Sequence, residues 1–192
     1  MSSNKWAKNV ILVDAVFLDK MGYIFRSNYE RLLKRDVNKA DLAIWLESAM
    51  LDGGLRVGDN TVQVVVLFDE NAESFDNFLP SDFNKELNGK GFKGPLGEFR
   101  LAAFPAFSKV VSLKSFFQQT LENILQAEEV ERLVVVGDDE ECGEEIVDRL
   151  TKNPDKEVTI LTTAPIKGEG FKQDLLGYSL TRALGISPDE MQ

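Results

Sequence analysis

The sequence predicts an α/β fold, a three-layer sandwich with a central, mostly parallel sheet of about five strands and helices on both faces. Two observations carry this expectation. Short runs rich in β-branched residues, at 10–13, 61–68 and 133–136, are too apolar to face water on either side, as strands in the middle of a parallel sheet are. Between them lie stretches whose apolar residues recur at helical spacing, so strands and helices alternate along the chain.

Taken in order, Val10, Ile11, Leu12 and Val13 form a buried strand closed by Asp14. Residues 15–22 read as a loop or short turn, and Tyr29, Leu32 and Leu33 then give a helical face that also carries Arg31, Lys34 and Arg35. Those three cations offer either a phosphate contact or an ordinary solvated surface. Asn38 is the expected N-cap of the next helix, with Asp41 in its first turn, Leu42, Trp45, Leu46, Ala49 and Met50 on one face, and Gly53 and Gly54 as the stop. The strand at 61–68 ends at Asp69, which is read as opening a loop.

The glycines at 89, 91, 94 and 97, with Pro95, mark residues 70–97 as an irregular insertion, with Ser81 capping a short helix to Leu87. A strand at 98–104 is limited by Pro105. Ser112 caps the longest helix, whose Leu113, Phe116, Phe117, Leu121, Ile124 and Leu125 make a wide apolar stripe. After the strand at 133–136 come Gly137, an acidic turn and a helix bearing Ile146, Val147 and Leu150. A strand at 157–162 and a terminal helix at 171–185 complete the chain. With no repeat and no Pro/Ser-rich linker, residues 1–192 read as one domain.

Composition narrows the chemistry. A net charge of −10 argues against a general binder of nucleic acid or membrane surfaces, which needs concentrated Lys and Arg. The chain has no histidine and one cysteine, Cys142, so an internal disulfide and His-based zinc sites and triads are excluded. Cys142 reads as packing, since no base stands near it in the sequence to activate it. No apolar run reaches bilayer-spanning length and the first residues lack an apolar signal core, so the expected setting is cytoplasmic, with no membrane contact.

The remaining candidates are acids. Should the strands ending at Asp14 and Asp138 lie side by side, their carboxylates meet at one sheet edge with Asp139, Glu140 and Glu141 nearby, and a hard cation such as Mg²⁺ or Mn²⁺ would hold them ionised together. The same residues serve equally well as helix caps. Gly137 belongs to no phosphate-loop pattern, so no nucleotide loop is expected.

The succession of VILVD at 10–14, VQVVVLFD at 62–69, a helix at 112–127, LVVVGDDEE at 133–141 and VTILT at 158–162 resembles the NYN branch of the PIN-like nuclease superfamily. The resemblance implies a metal-dependent ribonuclease or a degenerate relative of one, with Asp14, Asp138 and Asp139 catalytic, Asp14, Asp138 and Glu140 holding Mg²⁺ or Mn²⁺, and RNA as substrate. Departures from the family pattern are Val136 before Gly137, Glu140 and Glu141 where an aspartate and an aromatic are usual, and Ser112, Lys114 and Ser115 where the preceding helix usually opens with an aspartate. The acidic turn is also similar to that of HAD-type phosphatases, which need a second aspartate where this chain has Val16. A non-enzymatic alternative is an interaction or homodimerisation module using the Phe-rich surface between 75 and 107, with Phe75, Phe78 and Phe83 as candidates, or the terminal helix.

Overall fold

A computed structural model describes residues 5–192. Its centre is strand β1 (Asn9–Asp14), whose residues alternate between two cores: Ile11 and Val13 face one, Val10 and Leu12 the other. Helix α1 (Ala15–Leu33) begins at the next residue, with Asp14 as its N-cap. The loop expected at 15–22 is therefore helix. Phe17, Leu18 and Met21 recur at helical spacing and are buried against the sheet, which stabilises the first turns.

A two-residue strand, β2 (Ala40–Asp41), leads into α2 (Leu42–Asp52). The cap of α2 is Asp41, accepting the Ile44 N–H at 3.0 Å, and not Asn38. Ala40 and Asp41 first pair with β4 (Phe78–Leu79), so helical dihedrals cannot begin earlier. Between them, β3 (Asn60–Asp69) runs parallel to β1, with Val13 opposite Val66.

The insertion at 70–97 is more ordered than its glycines suggest. Besides β4 it holds a π-helical turn, Phe83–Leu87, capped by Asp82 in place of Ser81, and an edge strand, β5 (Gly91–Gly94). Phe75, Phe78 and Phe83 are at most 2% exposed and pack on one another, so these three phenylalanines are core and form no surface. β6 (Gly97–Ala106) continues through Pro105, because β5 covers only its first half. Residues 88–90 bond the outer side of Leu101 and Ala103, and among the described residues no strand pairs with β6 outside Pro105, where the N–H is missing.

Helix α3 (Leu113–Gln126), capped by Ser112 as expected, carries the chain back across the sheet to β7 (Arg132–Val136). α4 (Asp139–Lys152), β8 (Glu157–Thr162), β9 (Lys172–Leu175) and α5 (Leu176–Ala183) follow. The first part of the expected terminal helix is thus the strand β9, whose Lys-Gln-Asp-Leu sequence shows no strand periodicity. It forms by pairing with β8, Leu161 opposite Asp174.

The sheet therefore has seven strands, in the order β5-β6-β3-β1-β7-β8-β9, and only β5 is antiparallel to its neighbour. One core lies under α1, α2 and α5, the other under α3 and α4, giving three layers. The parallel strands build outward from β1 to β3 and β6, then restart at β7 on the opposite side. This is the doubly wound arrangement, and its switch point lies between β1 and β7.

Gly137 ends β7 where α3 approaches. A Cβ there would stand 2.7 Å from Cζ of the buried Phe117 ring, whereas a Cβ on Gly143 in α4 would meet nothing within 4 Å. Gly137→Ala is expected to destabilise the protein by about 1–3 kcal/mol through overpacking. Gly143→Ala should stabilise it by about 0.5–1 kcal/mol through helix propensity. Urea unfolding of both variants checks the pair.

Candidate functional site

β1 and β7 are adjacent and parallel, with Val13 opposite Val136, so Asp14 and Asp138 stand at neighbouring carboxyl ends across the switch point. In open α/β sheets this crevice is where ligands bind. Each aspartate also opens a helix. Asp14 Oδ1 accepts the Phe17 N–H at 3.1 Å, and Asp138 Oδ1 accepts those of Glu140 and Glu141 at 3.2 and 3.1 Å. α1 and α4 leave on opposite faces of the sheet, so two helix N-termini meet at one edge. Their dipoles favour negative charge there.

Asp14 is nevertheless an uncomfortable anion. Burial pushes its carboxyl up to about 6, against the pull of the Phe17 and Val16 N–H groups, and the charges of Asp138 and Glu141 add to the rise. The third acid whose field reaches Asp14 is thus Glu141. Glu140, the residue expected from the sequence, and Glu141 are both exposed, and it is the charge of Glu141 that adds to the rise at Asp14. Helical geometry accounts for the difference, because positions 138 and 141 are three apart and share a face.

Asp139 faces the other way. Its Oδ2 accepts the Thr163 N–H at 2.9 Å and the Thr163 hydroxyl at 2.8 Å, tying the start of α4 to the end of β8, while its Oδ1 is buried without a partner. Asp139 therefore braces β7 against β8, on the side of β7 away from β1 and Asp14. Among the described residues, no group of three or more His, Cys, Asp or Glu side chains is placed to hold a metal ion. Asp14 and Asp138 are brought together; Asp139 and Glu140 do not join them in such a group.

The sequence-level reading missed Lys114 as a participant. At the start of α3 it pairs with Glu145 at 3.1 Å, and the Glu141 charge contributes to raising its own pKa. Cys142, one turn into α4, is buried, and its thiol is pushed up chiefly by that burial. It packs in the core under α3 and α4 and is unsuited to act as a nucleophile.

A groove of about 620 Å³ opens beside Asp14, between α1 and the segment after β3, lined among others by Val16, Lys20, Tyr23, Phe68 and Asn77. Asp19 holds its far wall by accepting the N–H groups of Asp76 and Asn77 at 3.0 and 2.9 Å. Arg31, Lys34 and Arg35 lie at the opposite end of α1, and Arg35 is already paired with Glu190. Asp69 accepts the Asn71 N–H at 2.9 Å and opens a loop, as expected.

The model of a family of unknown function, DUF6621, matches residues 3–191. The chain belongs to that family. No curated protein and no solved structure matches it. Among the described residues no helix is long and apolar enough to cross a membrane.

The raised pKa of Asp14 fixes the sign of one pH effect. A carboxyl whose folded value lies above its unfolded value of 3.8 contributes stability that is fully present below 3.8 and lost as pH rises through about 6. Asn keeps the cap and removes the charge. Asp14→Asn should therefore gain stability relative to wild type between pH 4 and pH 6.5, by on the order of 1–2 kcal/mol, and hold that gain above it. Thermal unfolding of both proteins across this range measures the difference.

Proposed function

We propose that this protein is a catalytically reduced relative of the PIN/NYN-type nucleases. In this reading Asp14 and Asp138 are the remnant of an acidic centre that takes one divalent cation weakly and no longer cleaves RNA. The observation that carries it is a cation at the start of α3, where the resembled family has an aspartate: Lys114 pairs with Glu145 and lies within the field of Glu141. A lysine there supplies positive charge that a second ligand-bound cation would otherwise supply, and it removes an oxygen donor.

Two features support a residual cation site. The cap bonds use Oδ1 of both Asp14 and Asp138, and the charge of Asp138, which adds to the burial-driven rise of the Asp14 pKa, is offset when a cation lies between them. Mg²⁺ and Mn²⁺ accept one or two protein carboxylates when water and phosphate oxygens complete the shell, so two acids suffice for weak binding. They leave a phosphodiester transition state poorly neutralised.

A second reading, a protein-interaction module on the same fold, draws on Phe104, Phe107 and Val110, which are 45, 54 and 84% exposed at the end of β6 and in the loop after it. A HAD-type phosphatase has less support, since Val16 stands where its second aspartate is needed.

Isothermal titration with Mn²⁺ is expected to show millimolar binding that Asp14→Asn abolishes. A labelled single-stranded RNA incubated with Mn²⁺ should be cut no faster by wild type than by Asp14→Asn. Mn²⁺-dependent cleavage by wild type alone would overturn the reduced-enzyme reading in favour of an active nuclease. An absence of millimolar binding would remove the metal from the reading altogether.

A further inference from the structure

The two ends of the sheet differ. β9 runs straight into α5, and its Gln173 is tied to the preceding loop by paired hydrogen bonds with the backbone of Ile166, both 2.8 Å. β5 has β6 on one side and, among the described residues, no strand on the other, and both its terminal positions are glycine. An open strand edge presents unpaired backbone N–H and C=O groups that pair readily with another extended chain.

Three observations indicate what would pair there. First, a pocket of about 160 Å³ adjoins β5 on the α2 face, walled by Leu42, Ala43 and Leu46 of α2, by Pro80, and by Phe92. Phe92 itself is stacked on Phe99 at 4.7 Å, which fixes the wall beside the edge. Side chains alternate across a sheet, so every second residue of an added strand would point toward this pocket. Second, Leu79, next to Pro80, is 54% exposed and extends the apolar surface beyond the pocket.

Third, the edge carries Lys90 and Lys93 on a chain of net charge −10, and among the described residues neither is in an ion pair. Glu86, which also lines the pocket, is turned to the N–H groups of Ser81 and Asp82, both at 2.9 Å, and Glu47 lies over Gly94 at the far end of the strand. Glu98, opposite Lys93 on β6, is held by Arg100 at 2.9 Å.

We propose that the outer edge of β5 docks an extended acidic segment of a partner protein, which adds a strand to the sheet and seats one aliphatic side chain in the Ala43–Phe92 pocket. Backbone hydrogen bonds give the affinity, the pocket selects the aliphatic residue, and Lys90 and Lys93 select acidic neighbours. A second copy of this chain fits less well, because two-fold pairing of β5 with itself sets four lysines against one another across a short interface. A four-residue edge buries little area, so binding is micromolar or weaker and falls with added salt.

The probe is a short fluorescein-labelled peptide alternating Asp with Val and Leu, titrated with the full chain and followed by anisotropy. Matched peptides replace Asp by Lys, or Val and Leu by Ser. The acidic-aliphatic peptide is expected to bind and to slow hydrogen exchange across residues 90–94, while both matched peptides bind several-fold more weakly. Lys90→Glu with Lys93→Glu should abolish binding through the surface charge, and Ala43→Phe through the pocket, with thermal unfolding of each variant as the check on folding. Equal binding of the basic or serine peptide, no binding of the acidic one, or protection elsewhere on the chain would each overturn the proposal. So would concentration-dependent dimerisation that protects 90–94 without peptide, which would assign the edge to a second copy.

Discussion

The parallel pairing of β1 with β7 is the constraint on which the rest of the molecule depends. Val10 to Val13 and Leu133 to Val136 are each at most 1% exposed, and successive residues feed opposite cores. A one-residue slip would reverse every one of these side chains, which would exchange the sets packed under α1, α2 and α5 with those packed under α3 and α4. The register is consequently fixed by packing on both faces. Because it is fixed, the chain leaves β1 and β7 at the same level, and the helix caps Asp14 and Asp138 become neighbours.

That neighbourhood has an electrostatic cost that the fold offsets in several ways. Helix N-termini supply partial positive charge to both aspartates, backbone N–H groups bind one oxygen of each, and Lys114 adds a full charge within the field of Glu141. These contributions do not balance burial at Asp14, whose carboxyl remains raised. Asp139 is relieved differently, by turning to Thr163 on the other side of β7. Consecutive acids in one turn thus differ in what they do: Asp138 caps, Asp139 braces β8, and of the two exposed glutamates it is Glu141 whose charge reaches Asp14.

Legibility in the sequence followed the length scale of the forces involved. The strands at β1, β3 and β7 were legible because their β-branched runs are dictated by burial on two faces, and α3 because its apolar stripe and Ser112 cap are local. β5 and β9 were not, since each has a single apolar residue, Phe92 or Leu175, among polar residues and glycine, and their strand character comes from pairing with β6 and β8. The start of α1 was hidden by Asp14 doing two things at once, ending a strand and capping a helix within a single residue. At the candidate site the pairing of Asp14 with Asp138 was legible from strand ends. The roles of Glu141 and Lys114 were not, because they depend on which face α4 presents to α3.

Asp52 shows why a raised carboxyl alone does not identify a site. Its pKa is also pushed up to about 6, by burial first and by the charge of Asp174, with Arg182 pulling it down, and its Oδ2 is buried without a partner. Yet Asp52 is the last residue of α2, where the helix dipole opposes a negative charge. The groups around it belong to β9 and α5, which dock on that end of the helix. Asp14 and Asp52 thus reach the same value from opposite ends of helices. What separates them is topology, since Asp14 stands at the strand ends where strand order reverses, with Asp138 at the end of the neighbouring strand, whereas Asp52 is covered by the closing segments of the fold.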